Sequence, residues 1–130
     1  MGNDILIPKQ NDKGENAMTI KKISPTELYT KINHQDKVLV LDVRDAEKYK
    51  DFHINAPSVD SINVHKATIF QLAENEEASL PNLSKDKEII VTCTTGNSAA
   101  KCAKILSDKN FDVTVLEGGL TAWKEYVGTK

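Results

Sequence analysis

After residue 19 the apolar and polar positions change period repeatedly. Ile20 to Ile23 is a short strand candidate. Ser24-Pro25-Thr26-Glu27 reads as a helix start: a Ser cap, Pro at the first helical position and Glu three residues after the cap. That helix is expected to run to about Asn33 and to bury Leu28 and Ile32. Val38-Leu39-Val40-Leu41 is an unbroken apolar run, as expected of a strand covered on both faces. Asp45 to Phe52 predicts a short helix with Ala46 and Tyr49 on one face. Pro57 forbids a helix in the next segment, where Ile62 and Val64 fit a short strand. Lys66 to about Glu76 predicts a helix with Ile69, Leu72 and Ala73 as its apolar stripe. Ser79 to Lys87 is a polar loop containing Pro81. Ile89-Ile90-Val91, within Glu88 to Cys93, is the second candidate for a buried strand. Ser98 to Lys109 predicts a helix with the stripe Ala99, Cys102, Ala103 and Leu106. Asp112 to Leu116 predicts a strand, Gly118-Gly119 a turn, and Leu120 to Val127 a last helix.

Strands alternating with helices of this length imply parallel βαβ units and an α/β fold, its sheet covered by helices. In such sheets ligands bind at the carboxyl ends of strands. Asp42 and Cys93 follow the two buried strands at such ends. Residues 1–18 are polar apart from Ile5, Leu6 and Ile7 and show no periodicity. They read as a flexible leader or linker, with Met18 as an alternative start. Residues 19–127 then form one domain, and 128–130 a C-terminal tail.

Composition narrows the function classes. A hydrophobic fraction of 39% with 28% charged residues fits an ordinary soluble globular chain of 130 residues. The 17 basic and 19 acidic residues are interspersed. Without a basic block, neither nucleic acid nor an anionic membrane is an expected partner. No apolar run approaches membrane-spanning length, and no charged-then-apolar signal opens the chain. Two cysteines, Cys93 and Cys102, do not make a secreted disulfide framework, so a reducing, cytoplasmic setting is expected.

The segment Cys93-Thr94-Thr95-Gly96-Asn97-Ser98 carries the candidate chemistry. A cysteine ends a buried strand, small residues with a Gly follow, and a helix begins. Such a loop wraps tightly and turns several backbone N–H groups inward. A nest of this kind at the positive end of a helix binds anions, and a thiolate is one. A thiolate is also a good nucleophile. Taken alone, Cys93 reads equally as a small buried residue at a strand end.

Several segments together resemble the rhodanese family of sulfurtransferases. Val40-Leu41-Asp42-Val43-Arg44 resembles its first signature. Glu47-Lys48-Tyr49-Lys50-Asp51-Phe52-His53-Ile54 resembles the segment leading to its Gly-His-Ile-Pro-Gly-Ala pattern. Ile89 to Ser98 resembles its active-site strand and loop, and Leu116-Glu117-Gly118-Gly119-Leu120-Thr121-Ala122-Trp123 its closing Gly-Gly-x-x-x-Trp signature. The segments occur in the family's order across residues 19–127. The resemblance implies a mainly parallel, five-stranded central sheet with helices on both faces. It also implies a cycle in which Cys93 takes sulfane sulfur from a small donor, carries it as a persulfide and passes it to a thiol or other nucleophile. The amides of Thr94, Thr95, Gly96, Asn97 and Ser98 would cradle the persulfide, a protein could serve as partner in sulfur relay, and neither metal nor organic cofactor is required.

The chain departs from the family's pattern in places that matter. Catalytic members often carry Arg or Lys where this loop has Thr94 and Ser98, and Lys101 is the nearest charge in the sequence. Charge-assisted hydrogen bonds are about twice as strong as neutral ones, so weak affinity for dianionic thiosulfate is expected and a persulfide donor is favoured. Asn55 stands where the family has Pro or Gly, which leaves that edge of the domain open. Phosphatases of this fold need Cys-x5-Arg, and position 99 is Ala99, which argues against phosphate chemistry. Asp42 and Arg44 read as a supporting ion pair. His53 reads as structural, His34 and His65 as surface residues, Cys102 as a core thiol and Trp123 as packing. The alternatives to a sulfurtransferase are a catalytically weak binding or regulatory module and a redox-sensing switch through Cys102.

Overall fold

The computed structural model describes residues 20–75, 80 and 83–128. The leader expected over 1–18 and most of the expected C-terminal tail lie outside the described residues. The elements alternate: β1 (Lys21–Ile23), α1 (Pro25–Asn33), β2 (Val38–Asp42), α2 (Ala46–Asp51), β3 (Val59–Asn63), α3 (Lys66–Glu74), β4 (Glu88–Thr92), α4 (Asn97–Asp108), β5 (Asp112–Leu116) and α5 (Gly119–Gly128). The five strands lie in the order β1-β5-β4-β2-β3, and every pairing is parallel. The sheet is thus wholly parallel where a mainly parallel one was expected.

Local chemistry explains the element ends. Ser24 caps α1 in a full capping box: its side chain accepts from the Glu27 amide, and the Glu27 carboxylate accepts from the Ser24 amide. Asp45 caps α2 by accepting from the Lys48 amide at 2.9 Å. The described part of α3 ends at Glu74 because Asn75 is extended, short of the expected Glu76.

Side-chain alternation along the strands divides the core in two. Leu39, Leu41, Ile89, Val91, Val113 and Val115 face one side and pack with Ile69 and Leu72 of α3 and the α4 stripe Ala99, Cys102, Ala103 and Leu106. Val38, Val40, Ile90 and Leu116 face the other side and pack with Leu28 of α1 and Leu120 and Trp123 of α5. Helices therefore cover both faces of β2 and β4, which accounts for their continuous apolar runs. Trp123 is 6% exposed and packs in this core, as expected.

Some expected placements differ. Ala46 is exposed, because α2 has a single short run that buries no residue. Tyr49 anchors it instead, its hydroxyl donating to Ser61 Oγ at 2.8 Å. Ala73 is exposed as well: the stripe of α3 narrows to Ile69 and Leu72. Ile32 is half-buried against the second cluster. The third strand begins at Val59 and ends at Asn63, leaving Val64 just beyond it. Its polar residues blurred the pattern because it is an edge strand.

The chain leaves β2 toward β3 on one side and leaves β4 toward β5 on the other. The carboxyl ends of β2 and β4, adjacent with Asp42 opposite Thr92, therefore flank the point where the winding reverses. Such a point opens a crevice for ligands. Leu106 is fully buried within the first cluster. Leu106→Ala is expected to lower unfolding free energy by about 2–5 kcal/mol. Ala73→Ser should stay within about 0.5 kcal/mol of the parent. Urea denaturation of both variants checks the pair.

Candidate active site

Cys93 leaves β4 and sits at the reversal point, 5% exposed. Gly96, at φ +103°, turns the chain into α4 and forms the N-cap of that helix without a side chain to cap it. The unpaired amides of the first turn must then find another acceptor. The cysteine sulfur supplies one. Ala99 N–H donates to Cys93 Sγ at 3.3 Å, the place a capping oxygen would take, and Gly96 N–H donates at 3.0 Å. Of the expected loop amides, that of Gly96 reaches the sulfur, and the second comes from Ala99, one residue past the loop. Backbone dipoles converging on one sulfur suit an anion there.

The other end of the loop is fixed by α5. Leu120 N–H donates to Cys93 O and Thr121 N–H to Thr94 O, each at 2.9 Å. Gly119 makes this approach possible. Its φ is +62°, and a Cβ placed on it would lie 2.6 Å from both of those carbonyl oxygens. The Gly118-Gly119 pair, read from the sequence as a turn, therefore also buttresses the cysteine loop. Two glycines ahead of a helix were the available signal; what they press against was not written locally.

Beside the sulfur lies a cavity of about 180 Å³, and Thr94, Thr95 and Ser98 form its loop side. Asn97 is exposed and does not line it. The opposite wall comes from the ends of β2 and the starts of α2 and α3: Val43, Arg44, Asp45, Lys48, His65 and Lys66. The sequence places Lys101 nearest the loop; in space it is exposed and does not line the cavity, whereas Lys48 and Lys66 do. The site is thus not without side-chain charge, since distant segments bring it. His65, read as a surface residue, is exposed but borders the site, with Nδ1 accepting from Ala67 N–H at 3.2 Å.

Asp42 and Arg44 form the supporting pair. Asp42 is 1% exposed, and its carboxylate accepts from Arg44 Nη2 at 2.7 Å, from Nε at 2.9 Å and from the Arg44 amide at 3.0 Å. Arg44 Nη2 also donates to Phe52 O at 2.6 Å. Asn63, which sequence reasoning missed, donates to the carbonyls of Asp42 and Arg44 at 3.0 and 2.9 Å. These bonds hold the cavity wall. His53 is structural, with Nδ1 2.8 Å from Tyr49 O and its ring stacked on Tyr49 at 4.0 Å. His34 ends α1 as an exposed residue.

Both cysteines are free. Cys102 is fully buried in the α4 stripe. Burial, reinforced by the charge of Cys93 and opposed by that of Lys66, pushes its thiol up to about 12. Among the described residues, no cluster of His, Cys, Asp or Glu is placed to hold a metal, and no helix is long and apolar enough to cross a membrane.

The Rhodanese-like domain model matches residues 24–126. The chain belongs to the rhodanese-like domain family. The adenylyltransferase and sulfurtransferase of Candida albicans is 32% identical over 111 residues, which are 84% of this chain and 24% of that protein. The rhodanese-like chain therefore spans about a quarter of that relative's length. It covers 91% of the thiosulfate sulfurtransferase of Pseudomonas savastanoi, with 32% identity over 108 residues and 82% of its own length. A rhodanese-related protein from Thermoplasma volcanium superposes with a TM-score of 0.63 at 29% identity, covering 82% of this chain and 92% of that one. Family and relatives together support a sulfur-related, sulfurtransferase-type role.

Gly119→Ala is expected to destabilise the fold by about 2 kcal/mol or more, through left-handed backbone strain and overlap with the loop carbonyls. Faster amide exchange at Gly96 and Ala99 would report the loosened loop, and unchanged exchange would contradict the buttress. A second prediction concerns alkaline stability. The native Cys102 thiol keeps its proton up to about 12, whereas an unfolded one loses it from the ordinary value of 9.0. Its contribution is therefore complete below pH 9 and lost as pH rises toward 12, at up to about 1.4 kcal/mol per pH unit. Cys102→Ala should flatten that part of the slope in urea midpoints measured between pH 8 and 10.5.

Proposed function

We propose that Cys93 is the nucleophile of a sulfurtransferase cycle. The observation that carries this reading is the convergence of the Gly96 and Ala99 amides on Cys93 Sγ, inside a cavity at the reversal point of the sheet. The thiolate attacks the outer, sulfane sulfur of a donor. The donor's S–S bond breaks and its remaining half leaves with the electron pair, as a thiolate from an organic persulfide or as sulfite from thiosulfate. Cys93 then carries the added sulfur as a persulfide. A thiol acceptor attacks that outer sulfur in turn, which releases Cys93 and regenerates the starting state. One sulfur moves at each step, so no external oxidant or reductant is required.

Each part of the loop has a role in this cycle. The amides of Thr94 to Ser98 cradle the outer sulfur, with Gly96 already aimed at Sγ. The hydroxyls of Thr94, Thr95 and Ser98 offer neutral hydrogen bonds to the donor. Asp42 and Arg44 support the wall and stay outside the chemistry. Neutral loop side chains favour a persulfide donor over thiosulfate, the substrate named for the Pseudomonas relative. A thiol-rich, cytoplasmic setting suits such a donor, and a protein acceptor would place the chain within a sulfur relay.

Incubation with glutathione persulfide, followed by intact-mass analysis, is expected to add one sulfur atom to the protein. Added thiol should remove it, thiosulfate should load less, and Cys93→Ser should load none. A wild-type protein that takes up sulfur from neither donor is a binding module rather than a sulfurtransferase. A Cys93–Cys102 disulfide in place of the adduct would make it a thiol switch.

A further inference from the structure

We propose that Thr92 is a positioning residue for Cys93: its buried hydroxyl helps fix the peptide that follows the cysteine and so aims the sulfur at the Gly96 and Ala99 amides. This rests on the reading of Cys93 as the nucleophile. Thr92 is the last residue of β4 and directly precedes the cysteine. Among the described residues, three polar or charged side chains are buried: Asp42, Thr92 and Thr114. Asp42 is paired with Arg44, and the Thr114 hydroxyl donates to Glu88. The Thr92 hydroxyl donates to Cys93 O at 3.2 Å.

The direction of a side chain follows from the two peptide planes that flank its Cα, since these set φ and ψ. Both planes are tied at Cys93. On the amino side, Thr92 O accepts Val43 N–H at 3.0 Å, which locks that peptide to the end of β2. On the carboxyl side, Cys93 O accepts two donors, Leu120 N–H at 2.9 Å and the Thr92 hydroxyl at 3.2 Å. Thr92 takes part in both ties, once through its carbonyl and once through its hydroxyl. The Cβ–Sγ bond that leaves between the two planes carries the sulfur to 3.0 Å from Gly96 N and 3.3 Å from Ala99 N.

This position uses the hydroxyl of threonine rather than its bulk. Ile89, Ile90 and Val91 fill the rest of the buried strand, and Thr92, 1% exposed, shares its face with Ile90. Valine has nearly the same shape and also suits a strand, and it would avoid burying a polar group. Cys93 O does not need the hydroxyl as a donor, because Leu120 N–H already satisfies that oxygen. What the hydroxyl adds is a second direction of pull on the same carbonyl, which resists rotation of the peptide between Cys93 and Thr94. A sulfur held against backbone amides is stabilised as a thiolate, so a loosened peptide lowers reactivity while the domain stays folded.

Three variants separate the hydroxyl from the methyl: Thr92→Val keeps the methyl alone, Thr92→Ser the hydroxyl alone, and Thr92→Ala neither. The rate of Cys93 alkylation by iodoacetamide at pH 7, followed by intact mass with Cys93→Ser as background, reports the sulfur. It should fall roughly 2–5-fold in Thr92→Val and Thr92→Ala, the weight of one neutral hydrogen bond, and stay near the wild-type rate in Thr92→Ser. Urea midpoints should follow the methyl instead, lower for Thr92→Ser and Thr92→Ala and held or raised for Thr92→Val. Reactivity that tracks the methyl, or that is the same in all four proteins, overturns the proposal. Sulfur uptake from glutathione persulfide should slow in the same two variants as alkylation. If the wild type takes up sulfur from no donor, the sulfurtransferase reading fails, while the alkylation series still decides the role of Thr92.

Discussion

The candidate site depends on how the backbone at Cys93 and Thr94 is held. Their carbonyls accept the Leu120 and Thr121 amides of α5, so the chain leaving β4 is clamped on its carbonyl side. The cysteine sulfur, on the other side, takes the amides of Gly96 and Ala99. Each helix thus spends first-turn donors on the cysteine segment. Helix starts carry unpaired donors that must find acceptors. Here carbonyls satisfy one set and a sulfur the other. The clamp requires α5 to approach within van der Waals limits of the loop, which only Gly119 allows. Without that approach, the Cys93 and Thr94 carbonyls would lose the Leu120 and Thr121 amides as donors.

The second constraint is the junction between β2 and β3. Asp42 ends a fully buried strand, so its carboxylate must be compensated. Arg44, two residues on, folds back to pair with it and reaches across to Phe52. Asn63 ties the same turn to the edge strand. A buried pair of this kind adds little net stability compared with apolar packing, and its worth lies in fixing one geometry. That geometry directs the chain so that α2 and α3 start at the rim of the cavity. Lys48 and Lys66, near those starts, then line the same cavity as a sulfur that belongs to a different βα unit.

What was legible in the sequence follows from the range of each interaction. The α1 capping box, the α4 stripe and the limits of β5 depend on neighbours within a turn or a strand, and they read correctly. The position of Cys93 at a strand end followed from the same local pattern. Ala46 and Ala73 misled because periodicity marks a face without saying whether the sheet reaches far enough to cover it. The role of Gly119 and the approach of Lys48 and Lys66 depend on contacts between distant segments. A single sequence holds no local mark of these. Lys101 looked closest to the loop because sequence distance stood in for spatial distance.

These constraints separate two tasks that a charged loop would combine. Stabilising a sulfur anion calls for donors at fixed, short range, and backbone amides provide them without side-chain entropy to lose. Recognising a donor calls for charge at the mouth, where it can attract the donor without pairing with the nucleophile. A cation inside the loop would serve both ends, but it would also hold the persulfide anion after the donor leaves and so oppose its transfer to an acceptor. Here the residues beside Cys93 are neutral, and the cavity's cationic residues, Arg44, Lys48 and Lys66, belong to other segments. Among the described residues, the sulfur of Cys93 takes its hydrogen bonds from the backbone alone.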